Sequence, residues 1–159
     1  MKKAFVCLLL VCQGWAMAGS AARSDIESQY AKACQAARLK FADGLLSIRT
    51  PDYQSFAANG QAMDLRGERS RYLNLFATAL QVQETIDIKA FHQFDARHAR
   101  CQTHDVLQVV YLGEDHTPVL WTVEGVAQDD WLKTSAGWRQ KATHLNDQKY
   151  FTQPLPGYH

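Results

Sequence analysis

The sequence predicts an α+β protein in which helices come first and an antiparallel sheet follows. Three features of the 159-residue chain support this prediction. Apolar residues recur at three- and four-residue steps in the first third, as on one face of a helix. An Asn-Gly dipeptide then joins two short extended segments, which predicts a hairpin. Beyond Gln81 the apolar period changes to two, as in strands. Strands in such succession form an antiparallel meander with the helices on one face.

The first eighteen residues have the pattern of a secretory signal peptide. Lys2 and Lys3 give a positive start, an apolar run from Ala4 to Cys12 follows, and the segment ends in Ala16-Met17-Ala18. Small residues at the third and first positions before the cut predict cleavage after Ala18. The apolar run is too short for a permanent membrane span. We therefore expect an exported protein, periplasmic or secreted, that is not embedded in a membrane.

The charge pattern argues against nucleic acid as a partner. The chain has 17 basic and 16 acidic residues, and loss of Lys2 and Lys3 leaves 15 basic ones. Both signs are scattered, and the basic stretch Arg97–Arg100 is short and interrupted. A nucleic-acid groove or a patch for anionic lipid needs clustered Lys and Arg. We expect neither partner.

The first helix of the exported chain is predicted to begin at Ser24. Ser24 and Glu27 have the spacing of a capping box, in which each side chain satisfies a backbone donor. Asp43-Gly44 predicts that the helix bends or ends there. The apolar stripe on this helix comprises Ile26, Tyr30, Ala33, Cys34, Ala37, Phe41 and Leu45.

A hairpin and a second helix are predicted next. Tyr53–Ala58 and Gln61–Leu65 flank Asn59-Gly60, which favours a type I′ turn because both residues tolerate positive φ. Helical spacing then returns and predicts a helix that ends near Gln81. Its apolar residues are Tyr72, Leu73, Phe76, Ala79 and Leu80.

Four successive strands complete the predicted domain. They are expected at Thr85–Phe94, Ala99–Leu112, Val119–Leu132 and Trp138–Leu145. Residues 148–159 carry Pro154 and Pro156 and are predicted to form an extended C-terminal tail. A single domain would therefore occupy residues 19–147.

Two groups of residues carry a family resemblance. They are Asn59-Gly60-Gln61, Asp64-Leu65 and Gly67-Glu68-Arg69, and later Asp129-Asp130-Trp131, Gly137-Trp138-Arg139 and His144. These groups resemble those of the nuclear transport factor 2-like superfamily, in its SnoaL-like and ketosteroid-isomerase-like branch. The resemblance covers nearly all of the chain after Ala18 and implies a cone-shaped, curved antiparallel sheet with the N-terminal helices on its concave face. Members of the superfamily include isomerases, hydrolases and non-catalytic binders, so the fold does not assign a function.

The resemblance also suggests where a catalytic group would lie. Isomerases of the family use a carboxylate base together with a tyrosine and a protonated acid that stabilise an oxyanion. Asp64 lies roughly where the base would be, and Tyr30 is a candidate for the tyrosine. No second acid is evident in the matching strand. We favour the alternative that Asp64 caps the second helix.

Strand parity predicts the side chains of the inner face. In the strand that ends at Leu132, the odd positions are apolar except Asp129 and are predicted to face inward. A four-residue loop at Gly113–His116 and a pairing of Trp131 with Trp138 extend this register to both neighbours. The polar or pocket-lining residues predicted on this face are Arg100, His104, Trp121, Gly125, Asp129, Gln140 and His144.

Two interpretations of this inner face remain open. In one, the residues line a small-ligand cavity tuned near neutral pH by His104 and His144, which lie on either side of Gly125. In the other, Arg100 and Asp129 form a structural ion pair and the histidines are core residues.

The two cysteines that remain after cleavage allow one disulfide, between Cys34 and Cys101. The alternative is two buried thiols. The parity above directs Cys101 outward, away from the helix stripe that carries Cys34, so we favour the thiols unless a bulge reverses the parity.

No metal or cofactor is expected. His92, His98, Cys101 and His104 lie close in sequence, but their spacing does not match the tight ligand pairs of zinc sites. The sequence also has no nucleophile elbow and no phosphate-binding glycine loop.

The opposite face of the sheet predicts a homodimer. Its residues are too apolar for full exposure to water, and such patches usually mark contact surfaces. The alternative is that the C-terminal tail covers them. The set comprises Leu107, Val109, Tyr111, Leu120 and Val126.

These observations favour an exported, non-catalytic binding or accessory protein with a pocket for a small hydrophobic ligand. The alternative is a cofactor-independent acid–base enzyme of the isomerase, dehydratase or cyclase type, acting on a small hydrophobic substrate. Two titratable groups with opposed pKa shifts inside the cavity would favour the enzyme.

Overall fold

The computed structural model describes the backbone of residues 5–155 and the side chains of residues 19–155. The six strands form one open sheet in the order β2-β1-β6-β5-β4-β3, which confirms the α+β class. In the described part of the chain, no helix is long and apolar enough to cross a membrane. The elements are α1 (Phe5–Arg38), α2 (Ala42–Leu46), β1 (Arg49–Phe56), β2 (Ala62–Asp64), α3 (Leu65–Thr78), β3 (Ala79–Gln93), β4 (His98–Leu112), β5 (Pro118–Thr134) and β6 (Gly137–Pro154).

The sheet is mixed, because β1 runs parallel to β6. The prediction of a wholly antiparallel sheet is wrong for this pair. Hairpins fix the antiparallel direction of β3 to β6, whereas β1 reaches β6 only through a long crossover that leaves its direction free. Local sequence patterns identify both strands without indicating that they are neighbours.

The first helix is continuous through Ser24, so the predicted capping box does not start it. Glu27 instead accepts a hydrogen bond from Arg23 at 2.9 Å. The predicted stripe is buried at Ile26, Tyr30 and other positions, but the helix ends at Arg38, so Phe41 falls outside the stripe and is exposed.

The hairpin forms at Asn59-Gly60 with a different turn from the one predicted. Only Gly60 has a positive φ, of 82°. The Asn59 side chain accepts a hydrogen bond from the Gln61 amide at 3.0 Å, and this bond stabilises the loop. Asn59 itself does not adopt a positive φ. The type I′ assignment is therefore wrong, because that turn requires positive φ at both central residues.

The C-terminal residues belong to the sheet. β6 continues to Pro154, and the segment from Gln148 to Pro154 pairs with the first half of β5. The predicted boundary at residue 147 and the separate tail are therefore wrong for residues 148–154, because the long strand β5 needs a partner along its whole length. Pro154 lies at the strand end, where its missing donor costs least. Residues 156–159 of the predicted tail lie outside the described residues, as do residues 1–4 and the side chains of 5–18 in the predicted signal peptide.

The register between β4 and β5 differs from the predicted one by one residue. Leu112 pairs with Pro118, so the connecting loop has five residues, not four. A slip of one residue turns every side chain of a strand to the other face. Odd residues of β4 therefore face inward, and Leu107 and Val109, predicted outward, are inner residues.

The inner face packs against the helices in two apolar clusters. One brings Ile26 and Tyr30 of α1 onto Trp131 and Trp138. The other surrounds Tyr72 and includes Leu45, Phe76, Val82 and Val109. Between the clusters the inner face and α3 enclose a space that side chains do not fill.

Candidate functional site

A cavity of about 200 Å³ lies between α3 and the inner face of β1, β3, β4, β5 and β6. Apolar and aromatic side chains form part of its wall, among them Trp121, Val123 and Leu107. Gly125 contributes no side chain, which leaves space beside its neighbours. The charged residues of the lining are Arg49, Glu68, Arg71, Glu84, Asp105 and Asp129. The structure thus places Trp121, Gly125 and Asp129 of the predicted pocket in this lining.

Three of the predicted pocket residues lie on the outer face. Arg100 donates to Asp130 at 2.6 Å, and His104 pairs with Val126 across the sheet. His144 pairs with Gln128 and stacks on Phe56, with ring centroids 4.7 Å apart. Arg100 and His104 face outward because the loop between β4 and β5 has five residues. His144 faces outward because of a bulge in the β5–β6 pairing after Asp130. The predicted cavity flanked by histidines and the Arg100–Asp129 pair are therefore wrong.

Asp129 is the centre of a buried hydrogen-bond network. Its carboxyl accepts from the Tyr30 hydroxyl at 2.5 Å and from the Thr143 hydroxyl at 2.6 Å. Trp131 donates to the Tyr30 oxygen at 3.1 Å, and Gln140, which is buried, donates to Thr143 at 2.9 Å. Burial raises the pKa of Asp129, and the donors Thr143 and Tyr30 oppose this rise. Both carboxyl oxygens already have a partner.

Glu68 joins two arginines at the other end of the cavity. Its side chain is 4% exposed and lies 3.6 Å from Nη1 of Arg49, whose side chain is 10% exposed. It also accepts from Arg71 at 2.7 Å and from Ser55 at 2.6 Å. The Arg49 guanidinium stacks 4.3 Å from the ring centre of Tyr53 and donates to Gln140. The guanidinium charges of Arg49 and Arg71 at this end of the cavity are therefore stabilised by neighbouring groups.

Asp105 differs from the other lining carboxyls, because its Oδ1 atom is buried without a hydrogen-bond partner. It lies between Ile86 of β3 and Gly125 of β5 in the sheet register. Burial raises its pKa to about 8, and the negative charge of Asp129 adds to the rise. Burial also raises the pKa of Glu84, against the attraction of Arg49 and Arg71. Thr103, two residues earlier on the same strand, opposes the rise in the pKa of Asp105. A buried acceptor without a donor costs free energy, which the surrounding packing offsets.

The raised pKa of Asp105 predicts a pH-dependent stability. Its folded-state pKa of about 8 exceeds the ordinary value of 3.8, so the folded protein holds a proton that the unfolded chain has lost between these values. The free energy of unfolding should therefore fall from about pH 4 to pH 8 relative to Asp105→Asn. Urea denaturation across this range measures the difference between the two proteins. Their difference should be constant below pH 4, and a difference that is constant at all pH values would contradict the prediction.

Asp64 and Tyr30 do not form a catalytic pair. Asp64 is exposed and caps α3, accepting from the Gly67 amide at 2.8 Å. The Tyr30 hydroxyl is engaged by Asp129 and Trp131, behind the cavity wall. Burial raises the pKa of Tyr30 well above its ordinary range, and Asp129 adds to this effect. The capping interpretation of Asp64 agrees with this geometry, and the catalytic one does not.

Cys34 and Cys101 are not bonded to each other. Cys101 is buried on the inner face, so the outward direction predicted for it is wrong for the reason given for β4. Burial raises the pKa of each thiol to about 12, which leaves neither as a thiolate at neutral pH.

We predict two titratable thiols in the protein after cleavage following Ala18. Reaction with a thiol reagent in denaturant without reductant should count both, and a reduced sample gives the control value. A count of zero would show that Cys34 and Cys101 are bridged.

No three His, Cys, Asp or Glu side chains converge on a metal-sized site among residues 19–155. His98, one of the residues considered for zinc, lies 2.9 Å from the Asp95 carboxyl on the surface. The described side chains therefore offer no compact metal centre.

Five of the six charged lining residues are absent from the predicted pocket, namely Arg49, Glu68, Arg71, Glu84 and Asp105. Glu68 precedes Tyr72 by four residues and Phe76 by eight, so helical spacing places it on the apolar stripe of α3. A charged residue on that stripe indicates a buried charge. The inward orientation of Asp105 follows from strand parity once the loop between β4 and β5 is given five residues. Arg49 has no comparable signal, because the burial of β1 depends on its distant partner β6.

No family model and no curated protein matches the sequence. The structure is similar to that of a hexachlorocyclohexane dehydrochlorinase, LinA type 2, with 13% identity and a TM-score of 0.67 over 91% of this chain and 95% of that one. It is also similar to a candidate scytalone dehydratase from Novosphingobium aromaticivorans, with 11% identity and a TM-score of 0.73 over 88% and 91%. A domain with a cystatin-like fold from Nostoc punctiforme has 12% identity and a TM-score of 0.60 over 79% and 76%. At these identities the likeness concerns the fold, and it confirms the predicted resemblance to the nuclear transport factor 2-like fold.

Proposed function

We propose that this protein binds a small ligand in the cavity and does not transform it. The observation that carries the proposal is the cavity of about 200 Å³ enclosed by α3 and the inner face of the sheet. Pockets with an apolar wall and a few converging polar groups are typical of small-molecule sites. The lining carboxyls with shifted pKa values, Glu84, Asp105 and Asp129, all shift upward. The opposed pair expected of an acid and a base is not found among them.

Native mass spectrometry of protein isolated from its own compartment tests this proposal. We expect a small molecule to co-purify with the wild type and to be lost from Gly125→Leu, which fills the cavity. A Cβ atom at Gly125 meets only ordinary contacts, 3.5 Å from the Asp147 carbonyl oxygen and 3.7 Å from Gln148, so the strand accepts a side chain. Asp64→Ala is the control, because it removes only a surface helix cap worth about 1 kcal/mol. Equal occupancy of wild type and Gly125→Leu would contradict a site in this cavity.

An acid–base enzyme is the alternative that one observation favours. Asp105 has a pKa of about 8, close to the range in which a proton donor or acceptor works best. Two of the similar structures are named for elimination reactions, a dehydrochlorinase and a dehydratase. Incubation of the co-purified ligand with fresh protein distinguishes the two functions. Conversion that Asp105→Asn abolishes would establish the enzyme, and unchanged ligand supports binding alone.

We also propose that the protein is exported, with its function in the periplasm or the medium. The support is the signal-peptide pattern of residues 1–18. N-terminal sequencing of the protein from these compartments should begin at Gly19. A chain that retains Lys2 and Lys3 would contradict export by this route.

A further proposal is that two copies pair through the outer face. Leu107, Val109 and Tyr111 no longer contribute to this face, but Val106, Leu120 and Val126 lie on it and are only partly exposed. Multi-angle light scattering should give twice the chain mass. A monomer mass throughout the micromolar range would contradict the dimer.

A further inference from the structure

We propose that the cavity selects a small organic cation, such as a quaternary ammonium group, held beside Asp105. This inference rests on the proposed binding function and names the class of its ligand. Its starting point is the imbalance between the four carboxyl groups and the two guanidinium groups of the lining.

The positive charges are matched at their own end of the cavity. Glu68 lies within 4 Å of both Arg49 and Arg71. Glu84 also feels the attraction of both guanidinium groups. Two guanidinium groups thus face two carboxyl groups there, and Arg49 is further covered by Tyr53 and Gln140, although its Nη1 atom is buried without a hydrogen-bond partner. An anionic ligand would have to compete with Glu68 for both guanidinium groups.

The other two carboxyl groups of the lining are those of Asp105 and Asp129, and Asp105 is mostly protonated below about pH 8. Asp129 has Tyr30 and Thr143 as donors, whereas Oδ1 of Asp105 has none. The charges with the largest influence on Asp105 are all carboxylates, those of Asp129, Glu84 and Asp87. A cation placed beside Asp105 would relieve their mutual repulsion once Asp105 is ionised.

The wall near Asp105 favours an organic cation over a metal ion. Metal ions such as Ca²⁺ and Mg²⁺ require several converging oxygen ligands, and no group of three metal-ligating side chains occurs in the part of the chain described, residues 19–155. Ile86 and Gly125 flank Asp105, and Leu107 follows it on the same face. Methyl groups on nitrogen can pack against such a wall, where a hydrated metal ion would lose its water without replacement.

Two aromatic side chains lie further along the cavity, since Trp121 is four residues from Gly125, the strand partner of Asp105. The rings of Trp121 and Tyr150 stack with centroids 6.2 Å apart and planes at 18°, and both residues line the cavity. Aromatic faces attract alkylammonium groups through their quadrupoles, and Trp is the strongest of them. Carboxylate, apolar wall and aromatic face are the three elements that recognise a quaternary ammonium.

Choline and its neutral carbon isostere 3,3-dimethylbutan-1-ol provide the test, because they differ in charge and hardly in shape. Isothermal titration at pH 8.5 should show choline binding roughly 10-fold or more tightly than the isostere, a difference of at least about 1.4 kcal/mol. Asp105→Asn should weaken choline by a similar factor and leave the isostere unchanged. Asp130→Asn, on the outer face of the next strand, is the matched control and should bind both as the wild type does. Circular dichroism of each variant confirms that it is folded.

The pH dependence of choline binding gives a second readout, because choline keeps its charge at all pH values. Asp105 must lose its proton to pair with the cation, so the affinity should rise from pH 6 to about pH 8 and then level off, with a slope of up to roughly 10-fold per unit. The titratable groups that face Asp105 are Glu84 of β3, Asp129 of β5 and Cys34 of α1, and Asp87 of β3 acts on it from the outer face. Across the cavity lie Arg49 of β1 and Glu68 and Arg71 of α3. Asp105→Asn should remove most of the slope, which distinguishes Asp105 from these groups.

The outcomes separate the ligand class from the site itself. If the isostere binds as tightly as choline and Gly125→Leu abolishes both, the cation assignment is overturned and the binding cavity stands. The same conclusion holds if choline does not bind while another molecule co-purifies in a Gly125-dependent manner. If neither probe binds and Gly125→Leu retains the co-purified molecule, both the ligand class and the proposed site are wrong.

Discussion

Glu68→Ala should lower the free energy of unfolding by about 4 kcal/mol, because removal of one partner leaves an uncompensated buried charge. Glu68 is the only carboxylate within 4 Å of the Arg49 guanidinium in the described structure, and that side chain is 10% exposed. Burial opposes the charge on Arg49, and the neighbouring Tyr53, Tyr72 and Glu68 are among the groups that hold its pKa above the usual range. Without Glu68 the guanidinium would stay charged with less compensation. Equilibrium urea denaturation at pH 7 measures the loss.

Asp43→Ala is the matched control for Glu68→Ala. Asp43 accepts two hydrogen bonds from Arg69, at 2.7 and 3.3 Å, but this pair lies at the surface. Exposed ion pairs contribute between zero and about 1 kcal/mol, so the control should remain close to the wild type. Equal losses in the two variants would show that burial does not distinguish the ion pairs.

Asp129→Ala should cost about 3 kcal/mol, the second-largest loss expected. The substitution removes the acceptor of Tyr30 and Thr143 at once, in a position that is 1% exposed. Each buried donor without a partner carries its own desolvation cost. The Trp131 donor bonds to the same Tyr30 oxygen, so the disturbance reaches the apolar cluster under α1. Thermal and urea denaturation should both show the loss.

Asp130→Ala tests whether the loss of stability is specific to Asp129 or follows from any such substitution in β5. Asp130 is the adjacent carboxylate, partly exposed on the outer face and bonded to Arg100 at 2.6 Å. We expect it to cost no more than about 1 kcal/mol. A loss in Asp130→Ala that matches Asp129→Ala would contradict the buried network as the source of stability.

Sequence periodicity identified the elements of this fold but not their long-range arrangement. The stripe through Ile26 and Tyr30 and the inward odd positions of β5 follow from spacing alone, because one buried face dictates both patterns. The β4 register depends on a loop of five residues instead of four, and no local signal distinguishes the two. That single residue moved His104 to the outer face and brought Asp105 into the cavity.

The pocket was harder to predict than the sheet, because its polar residues come from distant segments. Asp129 was predicted to face inward and does, yet its partners Tyr30 and Thr143 lie 99 and 14 residues away. A bulge in β6 shifts the register between Asp130 and Trp131 and so decides that Thr143, not His144, reaches Asp129. Bulges leave little trace in apolar periodicity.

The parallel pairing of β1 with β6 constrains the order in which the chain can fold. Arg49 and its partner Gln140 are separated by 91 residues, so β1 has no neighbour on that side until nearly the whole chain is available. Contacts between such distant residues close large loops and slow folding. The strand that carries Arg49 and Tyr53 therefore joins the sheet after the hairpins of β3 to β6 have formed, and the cavity gains its last wall in the same step. A chain interrupted before residue 140 would lack most of β6, and β1 would have no strand to join on that side.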